Sequence, residues 1–195
     1  MVKISFSGVA GSGKSAVIAE VKKILGLRFK VEEVDDITAT NPFDADEAPC
    51  FAHCFYRMST QINNENLKSS RLLDFLLCDR SIIDHWLYWQ SCKKVQGKDS
   101  RLSRPEQVIN NVFRFWLHTY DAFFLIRSGA RKIETETKLL SGSETGVNDF
   151  HYSDLAYLNL FADEGIVCRE IFNRDSVDES AHQVVQNLAQ SGFIK

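Results

Sequence analysis

The eight residues Gly8-Val9-Ala10-Gly11-Ser12-Gly13-Lys14-Ser15 fit the pattern G-x-x-x-x-G-K-[ST] at every fixed position. Before them runs Val2 to Ser7, a β-branched and aromatic stretch that predicts a buried strand. After them, Val17, Ile18, Val21, Ile24 and Leu25 recur at helical spacing, with Gly26 where a helix C-cap is expected. A strand that enters a glycine-rich turn and opens a helix gathers backbone N–H groups around one point. The helix N-terminus adds the positive end of its dipole there. Phosphate is the ligand this arrangement suits. Gly8, Gly11, Ser12 and Gly13 are therefore expected to cradle the phosphates of a nucleoside triphosphate, ATP in the first instance. Lys14 is expected at the β- and γ-phosphates, and the Ser15 hydroxyl on Mg²⁺.

Such a loop needs a sheet behind it, and the rest of the chain supplies the pattern. Strands are predicted at 28–34, 72–78, 120–126 and 165–172, and helices at 51–68, 81–96, 105–118 and 151–163. A last helix opens on Ser176-Val177-Asp178-Glu179, which has capping-box spacing. Strands alternating with helices imply right-handed crossovers and a mostly parallel sheet covered on both faces. At 195 residues, with 44% hydrophobic and 25% charged content, the chain is expected to form one domain. The polar segment 127–150 is long enough to predict a lid within that domain. The longest apolar run, Ala122 to Ile126, is far short of the roughly 20 residues that span a bilayer, so no membrane partner is expected. The five cysteines form no paired framework, and the start reads as no export signal; a cytoplasmic, reduced protein is expected. Cys50-x-x-His53-Cys54 has no second ligand pair at zinc spacing, and it reads as a helix start with buried thiols. His53, His85, His118, His151 and His182 show no triad or ligand spacing, and no role is assigned to them.

Leu76-Leu77-Cys78-Asp79-Arg80-Ser81 closes the third predicted strand. A carboxylate at the C-terminal end of a strand lies on the rim where ligands bind in such sheets. Asp79 is expected to hold Mg²⁺ directly or through water, and Arg80 to turn its fork toward phosphate or acceptor. The Asp-Arg-Ser step resembles the Asp/Glu-Arg-x step of deoxyribonucleoside kinases and thymidylate kinases. Asn41-Pro42-Phe43, Gln61 with Glu65, Asp79-Arg80-Ser81-x-x-Asp84 and Gly146-Val147 are similar to the small P-loop ATPase/kinase family that includes the ribosylnicotinamide kinase domain. The resemblance spans most of the chain, and the P-loop and Asp-Arg-Ser parts are its specific motifs. It implies a three-layer P-loop fold with strand order 2-3-1-4-5, Mg-ATP as donor, and a lid over the phosphates. One departure is Asn148, where relatives often carry an arginine. If that position supplies transition-state charge, then Arg127, Arg131 or Lys132 must substitute here; Lys138 is a further lid cation.

The acceptor is argued from charge. Between Glu32 and Cys54 there are seven acidic residues and no Lys or Arg. Such a rim suits a hydroxyl acceptor better than a dianion, because a hydroxyl profits from a carboxylate that takes its proton. Asp35 or Asp36, at the end of the second strand, is the expected base. By resemblance Gln61 faces the acceptor base, and Arg57 and Arg80 are the candidates to clamp a monophosphate if the acceptor carries one. The expected partner is a small nucleoside or nucleotide, and the sequence leaves a homodimer open. Two alternatives stand beside this reading. One is a kinase acting on a hydroxymethylated base in phage DNA, which the net charge of −3 disfavours. The other is a non-kinase switch that binds or hydrolyses a nucleoside triphosphate.

Overall fold

The computed structural model describes residues 1–37, 42, 50–96, 103–128, 153–173 and 176–194. In chain order the elements are β1 (Val2–Ser7), α1 (Lys14–Gly26), β2 (Val31–Val34), α2 (Cys50–Ser69), β3 (Phe75–Asp79), α3 (Ile82–Gln96), α4 (Ser103–Leu117), β4 (Ala122–Ser128), α5 (Asp154–Asp163), β5 (Cys168–Asn173) and α6 (Val177–Gln190). The five strands form one sheet in the order β2-β3-β1-β4-β5, and every pairing is parallel. This is the order implied by the resemblance.

Successive strand residues point to opposite faces, and both faces are covered. Ile4, Phe6, Phe75, Leu77, Phe124 and Ile126 pack with Val17, Ile18 and Val21 of α1 and with Val184 and Leu188 of α6. Leu76, Cys78 and Leu125 pack on the opposite side with Met58, Trp89, Phe113 and Tyr157, contributed by α2, α3, α4 and α5. The alternating residues of β1 on that second side are Lys3, Ser5 and Ser7, polar yet buried. They need partners there, and two of them lead into the functional site.

Several boundaries differ from expectation, each for a local reason. Gly26 is the last helical residue of α1 and not a left-handed cap; Leu27 follows, and the N–H groups of Arg28 and Phe29 both donate to the Leu25 carbonyl. That turn delays β2 to Val31. β3 starts at Phe75 because Ser70 and Arg71 still turn off the end of α2, leaving Leu72 exposed. β4 continues through Arg127 and Ser128, which pair with Phe172 and Asn173. Arg127 and Ser128, the first two residues of the predicted lid segment 127–150, therefore belong to β4, and the remainder of 127–150 lies outside the described residues. Ser176 caps α6 as its spacing predicts, accepting from the Glu179 N–H at 3.4 Å. No helix among the described residues is long and apolar enough to cross a membrane.

Candidate functional site

Parallel strands end on one edge, so residues far apart in sequence meet there. The loop after β1 is set by glycine geometry. Gly8, at φ 145°, lies so close to the Ile126 carbonyl that a Cβ would collide with it, and Gly13, at φ 84°, presses against the Asn173 side chain in the same way. Asn173, at the end of β5, donates to the Ser12 carbonyl at 3.0 Å and accepts from the Ser180 hydroxyl at 3.3 Å. β4 and β5 thereby hold the loop from one side. The Lys14 ammonium folds back over it, donating to the carbonyls of Gly8 at 2.9 Å and Val9 at 3.0 Å. Burial, and then the positive charge of Arg80, hold the Lys14 pKa below its ordinary value, while Asp84, Asp79 and Asp36 act the other way. Those four groups converge on one lysine.

Asp79 lies across from Lys14 at the end of β3. Its Oδ2 accepts from the Ser15 hydroxyl, whereas its buried Oδ1 has no hydrogen-bond partner. Burial raises the Asp79 pKa even though Ser15 and Lys14 favour its charge. A buried carboxylate oxygen without a partner next to a hydroxyl fits a hard divalent cation. Mg²⁺ needs few protein ligands when phosphates and water complete its shell. Among the described residues no group of three or more His, Cys, Asp or Glu is arranged to hold a metal by itself. Ser15 and Asp79 would hold Mg²⁺ together with a nucleotide.

Arg80 begins the second half of the site. It is the one non-glycine residue with positive φ (67°) among those described, a conformation costing about 1–3 kcal/mol. Both of its backbone groups are tied down: the N–H donates to Phe6 O at 3.1 Å, and the carbonyl accepts from Gln61 Nε2 at 3.3 Å. The kink sends the side chain to Asp36, where Nε meets Oδ2 at 2.6 Å, and brings Nη1 to 3.8 Å from Asp84 Oδ1. Although burial opposes its charge, Asp84 and Asp36 hold the guanidinium above its ordinary range. Asp84 is fixed in turn. Its Oδ2 accepts from Ser81 N–H at 2.9 Å and from the Ser7 hydroxyl at 2.8 Å, and its Oδ1 accepts from the Tyr157 hydroxyl at 2.8 Å. The same hydroxyl lies 3.3 Å from Gly8 O, so α5 touches both halves of the site.

The expectation of an uncompensated acidic rim is corrected here. Glu32 pairs with Arg71 at 3.1 Å, Glu33 with Lys22 at 3.2 Å, and Asp36 with Arg80. The run has no basic neighbour in sequence, but parallel strands and helices bring three. Asp35 is exposed and Asp36 half-buried, which separates two aspartates that the sequence left equivalent. Asp44, Asp46 and Glu47 lie outside the described residues, as do Asn41 and Phe43.

Gln61 and Glu65 belong to a buried network below Arg80. Glu65 accepts from Lys3 Nζ at 2.8 Å and from Trp116 Nε1, Tyr120 OH and Gln61 Nε2, each at 2.7 Å. Lys3 also sits over the rings of Trp116 and Tyr120, at 4.5 and 4.6 Å from their centroids. Such a carboxylate is satisfied, but only as a unit. Replacing Glu65 with Leu strands the Lys3 ammonium in the core, and we expect a loss of about 3–5 kcal/mol. Urea denaturation of Glu65→Leu and of the double variant Lys3→Met/Glu65→Leu tests this. The double variant should recover much of the loss, and equal midpoints for the two would refute it.

Two other expected cations have different surroundings. Arg127, on β4, bonds Asp154 at 2.9 Å and Glu170 at 2.5 Å and covers the Phe172 ring. Those bonds raise its pKa and bind β4 to α5 and β5. Arg57, on α2, lies 4.8 Å from the centroid of Tyr88 on α3. Arg131, Lys132, Lys138 and the Gly146-Val147-Asn148 step lie outside the described residues. Sequence reasoning missed Tyr157, Asn173 and Ser7. None carries a local signal, because each acts only through a strand or helix brought to it by the sheet.

No family model matches the sequence, and no curated protein matches it. Solved structures do match. Thymidylate kinase from Ehrlichia chaffeensis superposes with a TM-score of 0.61 at 15% identity, covering 96% of this chain and 98% of that one. Deoxyadenosine kinase from M. mycoides with bound dCTP gives 0.61 at 15%, with 97% and 100% covered. Thymidylate kinase from Candida albicans gives 0.59 at 15%, with 98% and 92% covered. At this identity the likeness shows a shared fold: the chain has the P-loop nucleoside/nucleotide kinase-like architecture over nearly its whole length.

Proposed function

We propose that this chain is a Mg-ATP-dependent kinase that moves the γ-phosphoryl group to a hydroxyl of a nucleoside-like acceptor. The observation that carries the reading is Asp36 held by Arg80 on the rim that also bears Lys14, Ser15 and Asp79. A carboxylate held by an arginine on the rim of such a loop suits transfer to a hydroxyl, whose proton it can accept, whereas a nucleotide switch needs no base for an acceptor hydroxyl. The fold shared with thymidylate and deoxyadenosine kinases supports a nucleoside or nucleotide acceptor in general, and the preference for a hydroxyl rests on Asp36.

In this reading the loop N–H groups and Lys14 hold the triphosphate. Mg²⁺, held by Ser15 and Asp79, would neutralise phosphate charge. Asp36 takes the acceptor's hydroxyl proton as that oxygen bonds to the γ-phosphorus. The bond from phosphorus to the β,γ-bridging oxygen breaks, and ADP leaves. Arg80 orients Asp36 and lends positive charge to the transferring group. Arg57, Gln61 and Arg80 are the residues assigned to the acceptor, and with Arg127 engaged by Asp154 and Glu170 the lid cation is left to Arg131, Lys132 or Lys138.

An acceptor screen with γ-labelled ATP tests the proposal, using nucleosides, nucleoside monophosphates and duplex DNA carrying hydroxymethylated bases. Label should pass to a nucleoside, and ATP consumption should rise steeply with it. A flat ATP hydrolysis rate across the whole panel would refute a kinase. Label in DNA alone would move the acceptor to the polymer.

A further inference from the structure

Tyr157 is a core residue with one polar end. Its ring is fully buried in the cluster that holds Leu125, Leu160 and Phe161, and its hydroxyl ends between the two halves of the site. α5 keeps it there: one turn earlier, Asp154 pairs with Arg127 of β4 at 2.9 Å. A phenylalanine ring would fill the same space, so packing alone does not call for the oxygen. What the oxygen touches does.

The hydroxyl reaches Asp84 Oδ1 at 2.8 Å and Gly8 O at 3.3 Å, and it has one proton to give. The shorter contact is with the charged oxygen, and charge-assisted bonds are the stronger kind. Gly8 O is served besides by Lys14 Nζ at 2.9 Å. Tyr157 therefore donates to Asp84.

Asp84 Oδ1 has a rival donor. Arg80 Nη1 stands 3.8 Å from it, too far for a hydrogen bond, while Arg80 Nε donates to Asp36 Oδ2 at 2.6 Å. One guanidinium thus lies between two carboxylates and is committed to one of them. Burial opposes its charge most; among the groups that support that charge, Asp84 exerts the largest electrostatic pull, ahead of Asp36. Yet the close contact is with Asp36. The difference lies in what already satisfies Asp84. Its Oδ2 takes the Ser81 N–H and the Ser7 hydroxyl, and its Oδ1 takes Tyr157. Without that hydroxyl, Oδ1 would be an unmet carboxylate oxygen in the core, close to a cation on a long, rotatable side chain. An unmet buried charge is costly enough to draw the cation in.

We propose that Tyr157 is a positioning residue: by occupying Asp84 Oδ1, its hydroxyl leaves the Arg80 guanidinium to Asp36. The inference rests on the kinase reading above, in which Asp36 takes the acceptor proton, and deepens it.

The test follows the Arg80 Nε–H resonance by NMR in the full chain with isotope-labelled arginine, the signal being assigned by its absence in Arg80→Lys. In wild-type protein it should lie downfield and exchange slowly with water, as a donor held by a carboxylate does. In Tyr157→Phe, with its fold checked by far-UV circular dichroism, it should move upfield and exchange faster. In Asp84→Asn/Tyr157→Phe it should return toward wild type, because the charge that draws the guanidinium away is gone. With the acceptor found in the screen, kcat of Tyr157→Phe should fall roughly ten- to a hundredfold at a near wild-type KM for ATP, and the double variant should recover part of it. A tyrosine that only packs predicts the reverse, two buried substitutions whose losses add. An unmoved Nε–H in folded Tyr157→Phe overturns the proposal, as does a double variant further from wild type than the single one. If Tyr157→Phe does not fold, Asp84→Asn decides. Its Nε–H should stay on Asp36, and loss of that bond would show that Asp84 itself aims Arg80 and overturn the proposal. The expected resonance shifts without transfer to any acceptor would refute the kinase reading and leave the placement of Arg80 by Tyr157 standing.

Discussion

Asp36→Asn is expected to lower phosphoryl transfer roughly 10²–10⁴-fold while ATP affinity stays near that of the wild type, the span over which a positioned general base contributes. The substitution keeps shape and removes the proton acceptor, and the neutral amide can no longer form an ion pair with Arg80. Asp35→Asn, at an exposed position one residue earlier, is the built-in control and should retain nearly all activity. Steady-state kinetics with the acceptor found in the screen, together with equilibrium binding of ATP to both variants, decide the matter. Full turnover in Asp36→Asn would show that the carboxylate only anchors Arg80. Loss in Asp35→Asn alone would move the base to the other aspartate.

Lys14→Ala should lower transfer roughly hundredfold or more, the scale seen when one preorganised electrostatic contact to a transition state is deleted. The reason lies in what surrounds the ammonium. It is buried and directed at the carbonyls of Gly8 and Val9, so its charge is already desolvated and aimed. Much of its value therefore goes to the charge that develops during transfer. Single-turnover measurements at saturating ATP separate this from a simple loss of affinity. Undiminished single-turnover rates with weakened ATP binding would make Lys14 a binding residue only. Because Lys14 also favours the charge of buried Asp79, the fold of the variant is checked by far-UV circular dichroism alongside the kinetics.

The elements and the glycine-rich loop after β1 were legible from local patterns. Gly8 to Ser15 is a contiguous motif whose glycines take positive φ, and the α1 helix that follows is signalled by the apolar spacing of its own residues. Strand positions were legible as well, since apolar runs record burial on both faces. Their ends were less so: Leu72 reads as strand by composition, but the turn leaving α2 keeps it in solvent. Arg127 reads as the start of a polar loop, yet it pairs in register with Phe172 as part of β4.

The contacts around Arg80 and Asp84 show where local reading stops. Asp36 meets Arg80 across 44 residues, Tyr157 reaches Asp84 across 73 and Gly8 across 149, and Asn173 holds Ser12 across 161. The acidic stretch from Glu32 onward was read as uncompensated because charge in a sequence is counted along the chain, whereas Arg71, Lys22 and Arg80 pair with Glu32, Glu33 and Asp36 through space. By itself the sequence determined the glycine-rich loop after β1, the alternation of strands and helices, and the place of Asp79-Arg80 at the end of a strand, because turn chemistry and hydrophobic period are local properties. The tertiary structure decided which aspartate faces Arg80, which buried polar atoms lack partners, and which cations are already bound, because those depend on strand order and helix docking.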